Sequence, residues 1–379
     1  MNKTLGHVLA NNRQNNFNAI RLIMALGVLY NHSFKLFNAN GRQDAVNYLF
    51  GFFDAGSFSV AVFFLISGML LTQSFFNTQS RYKFILKRIF RIFPGLLICL
   101  LFTVFVAGTL NTSLPLKQYF SDRAAYRYFY NIFLSNEVFA YNLPGVFTSN
   151  RSPFVVNGSL WTLPYELICY IFLFIILSVL VFFSAARYTI VRKLFTAALV
   201  VYFSAYLFNG LYIIGRIKGL SSGFSTNLSE GNPAAFLFLF FGTGMVLYRF
   251  RNYIRLNYFL LLAICLLLGV SHYFHVNALQ HFLEVCTIVY GVIVLAGASW
   301  LHPVNFKLDP SYGIYLYAWP VQQTFAHFCN LGAYESMLYT IPVVVLLGCL
   351  SFKFVEAPAL AAVTPIYERW LKPDSIATA

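Results

Sequence analysis

Apolar stretches about twenty residues long recur along almost the whole of this 379-residue chain, and they constrain its fold more than any other feature. Hydrocarbon offers no water to backbone N–H and C=O groups, so a chain that enters it repeatedly must form helices or a closed barrel. The ten-residue alternating strands of a barrel are absent. Only 10% of the residues are charged and 59% are hydrophobic, whereas an ordinary soluble domain carries about a quarter charged residues. The expected fold is therefore all-α and polytopic, with spans at about 17–36, 56–76, 89–109, 163–183, 194–213, 234–248, 257–274, 282–300, 311–330 and 336–353. The sixth is short and interrupted by Gly242 and Gly244.

The formal charge of +14 collects in the loops between these stretches. In a membrane protein that pattern sets topology and touches anionic lipid, and it gives no reason to expect a nucleic-acid partner. With the N-terminus inside, seventeen of the 26 Lys and Arg residues fall on inside segments and eight on outside segments, with Arg21 inside a span. Both termini are thus expected in the cytoplasm, which an even number of spans requires. The first sixteen residues are polar and the apolar segment after them is full length, so the first span is expected to stay as an anchor. The domain organisation that follows is a cytoplasmic segment 1–16, one transmembrane domain 17–356 and a cytoplasmic tail 357–379.

One loop is unusually long. Residues 110–160 are expected outside and carry Tyr119, Phe120, Tyr126, Tyr128, Phe129 and Tyr130, so they should pack on something. A cover over a sugar site and an interfacial helix packed on the bundle both fit. The six cysteines lie in or beside apolar segments and form no CxxC pair, which reads as small buried hydrophobes. His272, His275 and His281 share one turn without metal-ligand spacing, so no metal is expected. Glu284, close by, is expected near water. No inverted repeat of the transporter kind is visible.

The ionisable residues inside spans carry the chemistry. Arg21 and His32 stand eleven positions apart, almost three helical turns, which places them on one face of a helix and roughly 16 Å apart along its axis. Charged groups at such depth are costly and usually face protein or a water-filled cavity. Further motifs follow in order: SFSVAVFFLISGMLL at 57–71, KRIFRIFP at 87–94, NGSLWTLPYELICY at 157–170, SYGIYLYAWPV at 311–321 and FKFVEAP at 352–358. Together with the R-x10-H helix, this series resembles the acyltransferase family 3 integral-membrane enzymes along most of the chain. One departure stands at Ala318, where many relatives have His; the chain would manage without that histidine or use Tyr312 or Gln322.

The resemblance implies transfer of an acyl group, most commonly acetyl, from cytoplasmic acyl-coenzyme A to an extracytoplasmic glycan such as O-antigen or exopolysaccharide. It implies a bacterial inner-membrane location. The chain closes soon after the tenth span, so a stand-alone form without an esterase-like soluble domain is expected. On this reading His32 is the general base, since imidazole exchanges protons near neutral pH; a structural histidine at a helix end is the alternative. Arg21 stays protonated and would bind a donor phosphate or orient a carbonyl, or else pair structurally with Glu166. Arg88 and Arg91, three apart at a helix start, suit the phosphates of coenzyme A, or simply lipid headgroups. Glu166 would stabilise protonated His32 or bridge to Arg21. Trp161, Tyr165, Asn157 and Tyr312 are the residues expected at the polysaccharide or lipid-linked acceptor; Trp161 and Tyr165 would equally suit an interfacial aromatic belt. No resident cofactor is implied. The rival from another class is a transporter or flippase of a lipid-linked sugar, which needs no general base.

Overall fold

The computed structural model describes residues 3–11, 15–37, 40–51, 53–78, 80–185, 193, 197, 233–304 and 308–370. Among these the secondary structure is helical, and extended pairing is confined to two isolated bridges. The long helices are α1 (Phe17–Leu36), α2 (Ala55–Asn77), α3 (Arg81–Phe102), α4 (Leu163–Ala185), α5 (Pro233–Arg249), α6 (Tyr258–Tyr273), α7 (Asn277–Ala296), α8 (Ser311–Phe328), α9 (Ala333–Ser351) and α10 (Ala357–Trp370). Local chemistry fixes several of their starts. The Ser80 hydroxyl accepts from the Lys83 N–H at 3.4 Å, and the Asn257 side-chain oxygen Oδ1 accepts from the Phe259 N–H at 2.9 Å.

Five helical runs are long and apolar enough to cross a membrane: Ala55–Asn77, Arg81–Asn111, Gly158–Phe182, Leu279–Ala296 and Ala333–Trp370. Helices Ala235–Arg249 and Tyr258–Tyr273 are apolar but shorter. The expected spans at 17–36 and 311–330 form as α1 and α8 but are not among the five. Both carry polar side chains, and in α8 every residue from Ser311 to Gln323 is buried. A helix enclosed in protein on all sides need not be uniformly apolar. The expected span at 194–213 lies outside the described residues.

The chain divides into two compact units. The first comprises Met1–Asn31, Gln43–Gln73 and Tyr165–Lys307. Within it α2 and α5 touch at glycine: a Cβ on Gly68 would fall on the Phe241 carbonyl oxygen, and one on Gly244 would fall on that of Leu65. Such small-residue contacts let backbones approach where lipid supplies no hydrophobic drive, so the glycine that interrupts the sixth expected span is a packing residue. Asn16, fully buried, donates to the carbonyls of Leu295 at 2.9 Å and Ala298 at 2.7 Å, tying the start of α1 to the end of α7.

The second unit comprises His32–Arg42, Ser74–Pro164 and Leu308–Ala379. Here α8 and α9 meet at another glycine pair, where a Cβ on Gly313 would lie 2.8 Å from the Gly348 Cα. The 357–379 segment expected as a tail begins as helix. A π-helical turn at Phe352–Glu356 joins α9 to α10, making one run, Ala333–Trp370, and the Lys83 ammonium lies 5.6 Å from the Tyr367 ring. The long loop packs on its own unit. Tyr119 is fully buried and donates to the Val104 carbonyl at 2.8 Å, and Phe120 stacks on Phe105.

Two outcomes follow. Gly348→Leu should destabilise the second unit by about 1–3 kcal/mol, because α8 backbone stands where the side chain must go; an unchanged melting temperature in detergent would contradict that contact. Burial pushes the Tyr119 and Tyr128 phenols above the usual tyrosine range. Their contribution to stability is therefore complete below the ordinary phenol pKa and is lost as pH rises beyond it. Absorbance at 295 nm should show these two ionising later than exposed tyrosines.

Candidate active site

Three polar or aromatic residues of α8, Trp319, Gln322 and Gln323, fall at helical spacing i, i+3 and i+4 and so share one face. Between them they reach the end of α1 and the segment 152–158 of the second unit. The Trp319 ring meets the His32 imidazole edge-on, with centroids 4.7 Å apart and planes at 80°. Its Nε1–H donates to the Val155 carbonyl at 2.9 Å, and the face of its indole lies so close to Gly158 that a Cβ there would come within 2.8 Å. Gln322 donates to the Ser33 hydroxyl at 2.9 Å, next to His32 in the chain. Gln323 donates to the carbonyls of Ser152 at 2.8 Å and Val155 at 3.0 Å. His32, 8% exposed, is thereby held in a fixed aromatic and polar frame.

One turn beyond His32 a cleft of about 330 Å³ opens. Leu36, Phe37, Ala326 and Leu331 give it an apolar floor, continuous with the cluster that contains Trp319. Ser149, Asn150, Arg151 and Asn330 give it a polar rim. The cleft's mix of apolar and polar lining is of the kind that holds small ligands.

The other expected residues separate into distinct groups. The amide of Asn157 is engaged within the protein. Its Oδ1 accepts from the Ser159 N–H at 3.1 Å and its Nδ2 donates to the Leu316 carbonyl at 2.9 Å, so it caps the turn Gly158–Thr162 that carries Trp161. Tyr312 is likewise occupied elsewhere. Its hydroxyl donates to the Ile92 carbonyl at 2.9 Å, where Gly95 leaves room for the ring. Of the two stand-ins considered for the histidine missing at Ala318, Gln322 is the one that reaches the neighbourhood of His32, and Ala318 itself is fully buried.

Arg91 is engaged by two carboxylates, Asp309 at 2.9 Å and Glu356 at 3.1 Å. Asp309 also accepts from Ser311 at 2.5 Å and Glu356 from Ser351 at 3.0 Å. Arg91 thus bridges the start of α8 and the π-helical turn. Arg88 is half-buried one turn earlier, its guanidinium 5.7 Å from the Phe84 ring centre. In the first unit Arg21 and Glu166 are half-buried, and Glu166 accepts from the Tyr170 hydroxyl one turn along α4. Trp161 and Tyr165 are half-buried too.

The deepest acids are others. Glu356 and Glu284 are fully buried. Glu284, expected near water, accepts from Gln280 at 2.9 Å and lies 3.6 Å from His281, itself buried. Among the described residues no group of three or more His, Cys, Asp or Glu is placed to hold a metal. Sequence reasoning passed over Trp319, Gln323, Arg151 and Asp309. The spacing of polar residues within α8, and an acid directly before SYGIYLYAWPV, were the available signals.

Comparison with known proteins decides the family. The family described as an acyltransferase domain matches residues 14–354. The chain belongs to that acyltransferase family. This acyltransferase is 31% identical over 356 residues to the O-acetyl transferase of Shigella phage Sf6, covering 93% of its own length and 98% of the relative. It is also 24% identical over 385 residues to nodulation protein 10 of Rhizobium leguminosarum bv. viciae, covering 94% and 96%. No solved structure matches the chain.

Removing the cation of the acyltransferase's buried trio should be severe. Arg91→Ala leaves Glu356 buried without its cation, at a cost of about 3–5 kcal/mol. Adding Glu356→Gln should restore part of that. Folded yield and melting temperature in detergent read both effects, and a fully stable Arg91→Ala protein would show the trio to be unimportant.

Proposed function

We propose that this membrane acyltransferase moves an acetyl group from acetyl-coenzyme A, on the cytoplasmic side of a bacterial inner membrane, to a hydroxyl of an extracytoplasmic glycan such as O-antigen or exopolysaccharide. The observation that carries the reading is His32, packed against Trp319 one turn from an open cleft, in a chain of a family that contains a phage O-acetyl transferase. The expected ten spans and cytoplasmic termini belong to the same proposal, and the excess of basic residues on inside segments supports them.

In the reaction His32 accepts the proton of the acceptor hydroxyl as its oxygen attacks the thioester carbonyl carbon. The tetrahedral intermediate collapses with cleavage of the C–S bond. The imidazolium then returns the proton to the coenzyme A thiolate, which leaves as thiol. Transfer is direct, so no acyl-enzyme is required. Arg88 takes the donor phosphates, with Arg91 holding the helix that carries it. Arg21 orients the donor along the same face of α1 as His32, and Glu166 contributes negative charge that favours the imidazolium. Trp161 and Tyr165 offer aromatic faces to the acceptor. Fixing both substrates makes the attack effectively unimolecular.

His32→Ala should lower ester content per sugar in surface glycans by about 10²-fold or more, the usual contribution of a general base. Mass spectrometry of glycans from cells with matched expression measures it. Unchanged ester content would sink the mechanism, and loss of glycan export at constant esters per sugar would favour a transporter instead.

A further inference from the structure

We propose that the cleft beyond His32 is a subsite for a sugar residue bearing an oxyanion, a carboxylate or a phosphate ester, and that Arg151 reads that group. The inference deepens the acyl-transfer reading, because it names the chemical class of the acceptor.

Three observations converge. The cleft, about 330 Å³, joins an apolar floor to a polar rim. A pyranose has the matching character, with a C–H face and a hydroxylated edge, and the volume lies at the small end of ligand sites.

Arg151 is fixed on that rim by donating from Nη1 to the Phe37 carbonyl at 2.6 Å. Among the described residues no carboxylate pairs with it, in contrast to Arg91 of the same unit, which holds two. A guanidinium presents a fork of donors that matches a carboxylate or phosphate in bidentate geometry. Phe37 ties the fork in place without neutralising it.

The rim is also built under backbone constraint. Phe147 and Phe154, on either side of Ser149, Asn150 and Arg151, adopt φ of 54° and 63°. Bulky side chains rarely occupy that region, and such conformations persist where the surroundings hold them. The holding contacts are specific. Asn150 donates to the Gln323 carbonyl at 2.9 Å and side-chain oxygen at 2.7 Å, its own oxygen lies 3.2 Å from His327 Nδ1, and Gln323 donates back to Ser152. Gln323 belongs to the α8 face that carries Trp319, so rim and imidazole are positioned by one helix.

The test uses the full-length protein in detergent and saturation-transfer NMR with methyl β-D-glucuronide, glucose 6-phosphate and methyl β-D-glucoside, with inorganic phosphate as competitor. The wild type should bind the glucuronide or the sugar phosphate better than the glucoside. Arg151→Gln should weaken that binding by on the order of tenfold, as expected for loss of a charge-assisted contact, while its melting temperature stays that of the wild type. Arg151→Lys should lie between. Binding indifferent to Arg151→Gln, a glucoside bound as well as both anionic probes, or no signal from folded wild type would each overturn the proposal. Inorganic phosphate displacing the probes at equal concentration would reduce the cleft to an anion site and overturn the sugar assignment. Glycan esters that depend on His32 with probe binding that ignores Arg151 sink this proposal alone. Probe binding that needs Arg151 with esters that do not need His32 sinks the acyl-transfer mechanism alone.

Discussion

Helix α8 is buried along its first thirteen residues, and the polar groups among them must find partners inside the protein. That demand organises the second unit. Tyr312 donates to α3 at Ile92, Tyr315 bonds to Ser159 and Thr162, Trp319 to Val155, Gln322 to Ser33 and Gln323 to Ser152. The bonds from Tyr315, Trp319 and Gln323 also fix the 150–162 segment, which has little regular structure of its own. Leaving one such group unpaired would cost about 1–3 kcal/mol, so the irregular segment is held in register by the regular helix. Glycine at 158 and 313 keeps Cβ atoms out of two close approaches to this helix, at Trp319 and at Gly348.

The charged end of α8 follows related logic. Asp309 and Ser311 sit at its N-terminus, where the helix dipole favours negative charge, and Arg91 joins them to Glu356 on the π-helical turn. A π turn widens the helix and commonly marks sites where an extra residue is accommodated. Here it places Glu356, fully buried, where Arg91 and Ser351 can both satisfy it. Desolvating these groups is costly, and removing either sign alone would be worse than removing both.

How much of this was legible in the sequence depends on which physical signal each part sends. Apolar length and the placement of Lys and Arg announce helices and give them an expected orientation, because lipid imposes one rule on every span. Family motifs pointed to His32, and the helix that was to carry it forms over Phe17–Leu36. Partner choice was not legible. Asn157 and Tyr312 look like ligand-binding side chains in any sequence, yet both are consumed by backbone carbonyls that only the tertiary structure brings near. Arg91 was read with Arg88 as one basic pair, and nothing local in the sequence announced that Asp309 and Glu356, more than two hundred residues away, engage Arg91. Glu166 drew attention because it stands early in an apolar run, whereas among the described residues the fully buried acids are Glu284 and Glu356.

The axis of the proposed reaction is correspondingly better described along α8 than along α1. From Ser311 to Trp319 is eight residues, roughly 12 Å of helix, and from Trp319 to Ala326 is seven more, roughly 10 Å. One end carries the Arg91 trio close to Arg88, the middle carries the indole that meets His32, and the far end forms the floor of the cleft. In the proposed reaction these three stations along one helix would correspond to donor, proton acceptor and acceptor sugar. Specificity and catalysis are then separable in the molecule: side chains at the cleft end choose the sugar, while Trp319 and Gln322 hold the imidazole region whichever sugar enters.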